Sequence, residues 1–169
     1  MKILLTNDDG IDSPGLAAVR AALEEEHEVW VLAPDSERSA MSHYITVKDP
    51  VRCVQVEEQA FTSSGSPADC VILGLLGALP VEPEVIVSGI NIGPNLGTDI
   101  IYSGTAAAAR QGAIMGKPGL ALSLDGFEDP LHFEPLAQFV REHIAELVGL
   151  WDEYHFININ SPNTPDPNK

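Results

Sequence analysis

Five short apolar runs, at residues 3–5, 29–33, 84–88, 119–124 and 154–160, alternate with longer stretches whose apolar residues recur at helical spacing. Short runs of Ile, Leu and Val closed by Gly, Pro or Asp predict strands buried on both faces, as in parallel sheets. Residues 16–26 follow the turn-like Asp12-Ser13-Pro14-Gly15 and predict a helix, so residues 3–33 make a βαβ unit with parallel strands and a right-handed crossover. Loose alternation over residues 44–61, with Asp49-Pro50 as its turn, predicts a hairpin-like excursion. Further helices are expected from near Pro67 to Pro80, from near Ser103 to Gly116, and over residues 131–150. The last of these sets Leu136, Phe139, Val140, Ile144, Leu147 and Val148 on one face. The pattern is that of a single α/β domain over residues 1–160. A Pro- and Asn-rich tail at 161–169 should form no regular structure.

A length of 169 residues suits one domain with its own core, and 44% hydrophobic with 20% charged residues is ordinary globular composition. No apolar stretch reaches the roughly 18 residues of a membrane span, and the N-terminus has no secretory pattern, so a cytoplasmic protein is expected. Cys53 and Cys70 lie in apolar contexts without metal spacing and should be buried free thiols. The 25 acids against 9 bases give a net charge of −16, which repels polyanions and excludes binding to polymeric nucleic acid. A phosphate ligand would therefore need local positive character from a metal, backbone N–H groups and a helix N-terminus.

The first strand empties into Thr6-Asn7-Asp8-Asp9-Gly10. Ligands in open α/β sheets bind beyond the carboxyl ends of strands, and two adjacent carboxylates there call for a hard divalent cation or a proton, the alternative being that Asp8 and Asp9 merely shape a turn and cap the helix that follows. The segment 36–43 follows the second strand and should face the same crevice, bringing Ser39 and His43 near it. Ser39 could be an oxygen ligand or a turn residue, and His43 suits a supporting or packing role. No Gly-x-Ser-x-Gly elbow supports a Ser hydrolase. The loop 89–97 concentrates glycines and amides after a buried strand, so Asn91 can offer a carbonyl oxygen to the same cation, while Gly93 and Gly97 suit an anion-cradling loop. The small residues opening the Ser103 helix leave N–H groups uncovered, with Ser103 and Thr105 adding hydroxyls: a seat for phosphate or an ordinary cap.

These blocks together resemble the SurE survival-protein family of metal-dependent nucleotidases. Asn7-Asp8-Asp9-Gly10, Ala33-Pro34-Asp35 with Arg38-Ser39, Gly65-Ser66-Pro67-Ala68-Asp69-Cys70, Ser88-Gly89-Ile90-Asn91 through Asn95-Leu96-Gly97, and Tyr102-Ser103-Gly104-Thr105 carry the resemblance, in order, across nearly the whole chain. Ser66 stands where the family usually shows Thr. The resemblance implies a Rossmann-like three-layer sandwich and hydrolysis of phosphate monoesters, chiefly nucleoside monophosphates. It implies one divalent metal, Mg²⁺ or Mn²⁺, held by Asp8, Asp9, Ser39 and Asn91. Catalysis would fall to Asp8, Asp9 and Asn95, and phosphate binding to Asn95, Gly97, Ser103, Gly104 and Thr105. Family members continue past the last strand through an arm and a C-terminal segment used in subunit exchange. A homodimer is expected here, with higher assembly depending on that arm. The alternative is a Mg²⁺-binding phosphorylation receiver without hydrolase activity, which needs a further Asp at the end of its third strand. Haloacid-dehalogenase-like phosphatases need Asp-x-Asp, and nicotinamide dehydrogenases need Gly-x-Gly-x-x-Gly; neither motif follows the first strand.

Overall fold

A computed structural model describes residues 1–166. Seven strands form one sheet: β1 (Lys2–Thr6), β2 (Glu28–Pro34), β3 (Cys53–Glu57), β4 (Ala60–Ser63), β5 (Val85–Ile92), β6 (Gly119–Asp125) and β7 (Ile157–Pro162). Their order is β3-β4-β2-β1-β5-β6-β7, and every neighbouring pair is parallel except β3 with β4. The six parallel strands thus follow the doubly wound order, with the chain reversing direction across the sheet between β1 and β5. The helices are α1 (Pro14–Glu24), α2 (Pro67–Leu73), α3 (Asp99–Tyr102), α4 (Gly104–Ile114) and α5 (Glu134–Gly149).

Strand alternation divides the core into two layers. Ile3, Leu5, Val29, Val31, Val85 and Val87 face α1 and α5, packing with Leu16, Val19, Val140 and Ile144. Leu4, Trp30, Leu32 and Ile86 face the other way, against Cys70, Val71 and Ala108 of α2 and α4. The result is a three-layer α/β sandwich of Rossmann type.

Several local expectations are corrected. The hairpin turns at Glu58 and Gln59, between β3 and β4, and not at Asp49-Pro50. β4 then pairs in parallel with β2, which leaves β3 outermost and exposed along its length. Cys53 is therefore exposed; only Cys70 is buried, where burial pushes its thiol up to about 12. The helix expected through residue 79 is α-helical only to Leu73 and closes in one wider turn, Gly74–Ala78. β5 runs through Ile92, so the special loop after it begins at Gly93. β7 continues two residues into the supposed irregular tail, because Ser161 and Pro162 find register partners in Leu124 and Asp125. Proline is tolerated at that position because β7 is an edge strand. Residues 167–169 of the expected tail lie outside the described residues.

Candidate active site

The reversal of strand order opens a crevice between the carboxyl ends of β1 and β5. A cleft of about 240 Å³ lies there, lined by Asp8, Ser39, Asn91, Asn95 and Ser103 among others. Its floor is made rigid locally. The Asn7 side chain folds over the turn after β1, donating to the Gly10 carbonyl at 2.8 Å and accepting from the Gly10 N–H at 3.2 Å. The Arg38 N–H donates to the Asp8 carbonyl at 2.7 Å, which pins the segment carrying Ser39 beside the acid pair.

Asp8 is buried, and its carboxylate accepts a hydrogen bond from the Thr105 hydroxyl. Burial raises its pKa, against the opposing pull of Thr105 and of the nearby Thr105 and Gly104 N–H groups. α4 can come this close because Gly104 has no side chain: a Cβ there would lie 2.8 Å from the Asp8 Cβ. Burial, together with the Asp8 charge, pushes the Asp9 carboxyl up to about 6. One Asp9 oxygen, Oδ2, is buried without a hydrogen-bond partner.

A bulge in β5 between Ser88 and Asn91 brings Asn91 into the cleft lining. Its Nδ2 donates to the carbonyls of Ile92 and Gly93 at 3.2 and 2.8 Å, so Oδ1 is the end left for a ligand. The Ser39 hydroxyl donates its hydrogen to Glu37 at 2.8 Å, leaving oxygen lone pairs. A partnerless buried carboxylate oxygen, a second acid and two neutral oxygens fit a hard divalent cation. Among the described residues no group of three or more His, Cys, Asp or Glu side chains is placed to hold a metal ion.

The structure places the residues expected on the phosphate side at different distances from the cleft. Asn95 and Ser103 line the cleft, whereas Gly97, Gly104 and Thr105 do not. Thr105 is fully buried, and its hydroxyl donates to the Asp8 carboxylate. Gly104 provides the close approach, and Gly97 is exposed in the loop with open space around it. Ser103 caps α4 by accepting from the Ala106 N–H at 3.0 Å, which leaves its own hydrogen free. His43 packs on α4, with Nε2 2.8 Å from Gln111 Oε1.

Sequence reasoning missed the support for Asn95. Its Nδ2 donates to Ser123 at 2.8 Å, its N–H donates to Asn160 at 2.7 Å, and its carbonyl accepts from Asn158 at 2.8 Å. The alternation Asn158, Ile159, Asn160 was the available signal, since it places two amides on one face of a strand. Tyr102 and Phe127 also line the cleft, unforeseen.

The family profile described as survival protein SurE matches residues 3–169. A protein of Geotalea uraniireducens named 5'-nucleotidase SurE is 46% identical over 167 residues, covering 98% of this chain and 67% of that protein. One of Treponema pallidum with the same name is 47% identical over 168 residues, covering 95% of this chain and 90% of its own length. The crystal structure of the SurE protein from Aquifex aeolicus superposes with a TM-score of 0.90 at 38% identity, covering 97% of this chain and 67% of that one. The chain thus spans about two thirds of the Geotalea and Aquifex proteins. With the profile, the sheet and the strand-end blocks in agreement over nearly its whole length, the chain belongs to the SurE family.

Proposed function

We propose that this chain is a metal-dependent 5'-nucleotidase that releases phosphate from nucleoside monophosphates. The observation that carries the reading is the buried, unpartnered Asp9 oxygen beside Asp8, at the mouth of a sheet whose relatives bear that name. SurE nucleotidases are metal-dependent. One cation per subunit, Mg²⁺ or Mn²⁺, would be held by Asp8, Asp9, Asn91 and Ser39. When bound it supplies Lewis-acid stabilisation for the charge that spreads over the phosphoryl oxygens.

The chain's own residues then do the positioning. Burial raises the pKa of both Asp8 and Asp9, disfavouring their charged forms, so a cation between them would relieve the site and another anion would not. Asn95 has committed one amide hydrogen to Ser123 and can give the second to a phosphoryl oxygen. The free hydroxyl hydrogen of Ser103 can do the same. Both groups are buried and tied to neighbours, so they reach the phosphoryl group with little reorganisation.

The net charge of −16 argues against polymeric nucleic acid as a ligand. No described helix is long and apolar enough to cross a membrane. The working form in this proposal is a cytoplasmic homodimer, which light scattering and fractionation would test. The function itself is tested by phosphate release from a panel of nucleoside monophosphates with Mg²⁺, Mn²⁺ or chelator. Absence of chelator-sensitive release from every one of them sinks it.

A further inference from the structure

The cleft is small for the substrate assigned to it. Its volume of about 240 Å³ falls short of the roughly 300–1,000 Å³ of pockets that bury a whole small ligand. With the phosphate among Asn95, Ser103 and the acid pair, the rest of a nucleotide must emerge at the rim. Two aromatic side chains are there, Tyr102 just before the α4 cap and Phe127 just after β6. Phe127 is 74% exposed and Tyr102 60% exposed, and both line the same cleft as the polar Asp8, Ser39, Asn91, Asn95 and Ser103. Single exposed apolar residues are unremarkable, but two rings lining one cleft offer faces against which a planar group can pack.

The Phe127 ring is seated and not merely loose on the surface. A Cβ on Gly93 would lie 2.4 Å from its Cε1, so the loop after β5 admits the ring only because residue 93 is glycine. Gly93, whose φ of +96 is unfavourable for other residues, also donates its N–H to the Leu124 carbonyl at 3.0 Å, which ties the two strand ends under the ring. Tyr102 is fixed through its backbone, whose carbonyl accepts from the Ser42 N–H at 2.9 Å, while its side chain stays exposed.

We propose that Phe127 and Tyr102 form a stacking platform for the nucleobase of the substrate, and that they set the preference for nucleotides over phosphate esters of bare sugars. This rests on the nucleotidase reading and adds the base subsite to it. Stacking uses the π-face that every base carries, so the platform selects for a base without choosing among bases. Purines should exceed pyrimidines only modestly, in proportion to ring area.

The test compares AMP with ribose 5-phosphate on the wild type, Phe127→Leu, Tyr102→Leu and the double variant. Leucine keeps an apolar side chain against Gly93 and removes the aromatic face. The ratio of kcat/KM for AMP to that for ribose 5-phosphate should fall about 10-fold in each single variant and further in the double variant, in line with stacking measured by substitution. Binding of both compounds is read in parallel by ligand-observed NMR, which needs no turnover and so tests the rings even if the protein proves inactive. A wild type that binds AMP better than ribose 5-phosphate through these rings, but hydrolyses neither, would refute the nucleotidase reading and retain the platform. An unchanged ratio in all variants overturns the platform. So does loss of self-association on substitution with the ratio intact, which would make the rings a contact between copies of the chain.

Discussion

Gly104→Ala is the sharpest test of how the site is built, because a single methyl group meets the acid it would crowd. The added Cβ falls 2.8 Å from the Asp8 Cβ and 2.9 Å from its Oδ2, where ordinary carbon contacts are about 3.5 Å. Asp8 is buried and hydrogen-bonded to Thr105, so it cannot swing away as an exposed side chain would. Either the acid or the first turn of α4 must retreat by about 0.7 Å to restore that contact distance. Overpacking of this kind costs about 1–3 kcal/mol, and the better helix propensity of alanine returns at most about 1 kcal/mol. The expected net loss is about 1–2 kcal/mol, or a fall in Tm of roughly 2–8 °C for a chain this long. Activity should suffer more, because a displacement approaching 1 Å in a reacting geometry costs on the order of 100-fold in rate. The assay is a thermal melt, a metal titration by calorimetry and phosphatase kinetics. Gly149→Ala serves as control, since a Cβ there meets nothing within 4 Å. Wild-type kinetics and metal affinity in Gly104→Ala would refute the claim that α4 and Asp8 are mutually positioned.

Asp9→Asn should abolish metal-induced stabilisation while raising the Tm of the metal-free chain at neutral pH, since the charged form is the one that burial disfavours; melts with Mg²⁺ and with chelator decide it. The sign with pH follows from the Asp9 pKa of about 6 in the fold against an ordinary 3.8: its contribution is present below about pH 4 and is lost as pH rises through 6. Asp8 is shifted in the same direction, so the metal-free wild type should lose stability from pH 4 to pH 7, Asp9→Asn less, and added divalent cation should oppose the loss. Thr105→Val removes the hydroxyl that serves Asp8 and should destabilise the fold by about 1–3 kcal/mol with KM at saturating metal unchanged; a raised KM with intact stability would put that hydroxyl on the phosphate instead. Asn158→Ala and Asn160→Ala loosen the backbone of Asn95 and should lower kcat by roughly 10-fold, taking one hydrogen bond as about 1–1.5 kcal/mol, while calorimetry shows unchanged metal affinity.

Local pattern made the parallel strands and the acid pair legible. Ile3, Leu4 and Leu5 alternate between two buried layers, as a run apolar on both faces must, and strand period and turn chemistry then put Asp8 and Asp9 at the strand end without any tertiary information. The Ser103 cap was likewise readable from the small residues that follow it, whereas Asn91, expected in a loop after the strand, lies inside β5 beyond its bulge. What local pattern could not decide was which groups turn toward the ligand and which toward one another. Thr105 has the same hydroxyl whether it faces a phosphate or Asp8, and only the packing of α4 against the end of β1 selects Asp8. Asn158 and Asn160 acquire their role from β7 lying beside β6, a pairing across more than 30 residues of chain that no short-range periodicity encodes. Phe127 and Cys53 show the same division from opposite sides. One is a loop residue brought to the cleft by the fold, and the other is a strand residue left exposed because the fold placed β3 at the sheet's edge. Sequence fixes each segment's period and chemistry, because these depend on neighbours along the chain. The partner of each polar group depends on where burial brings distant segments together, and that is settled only by the tertiary structure.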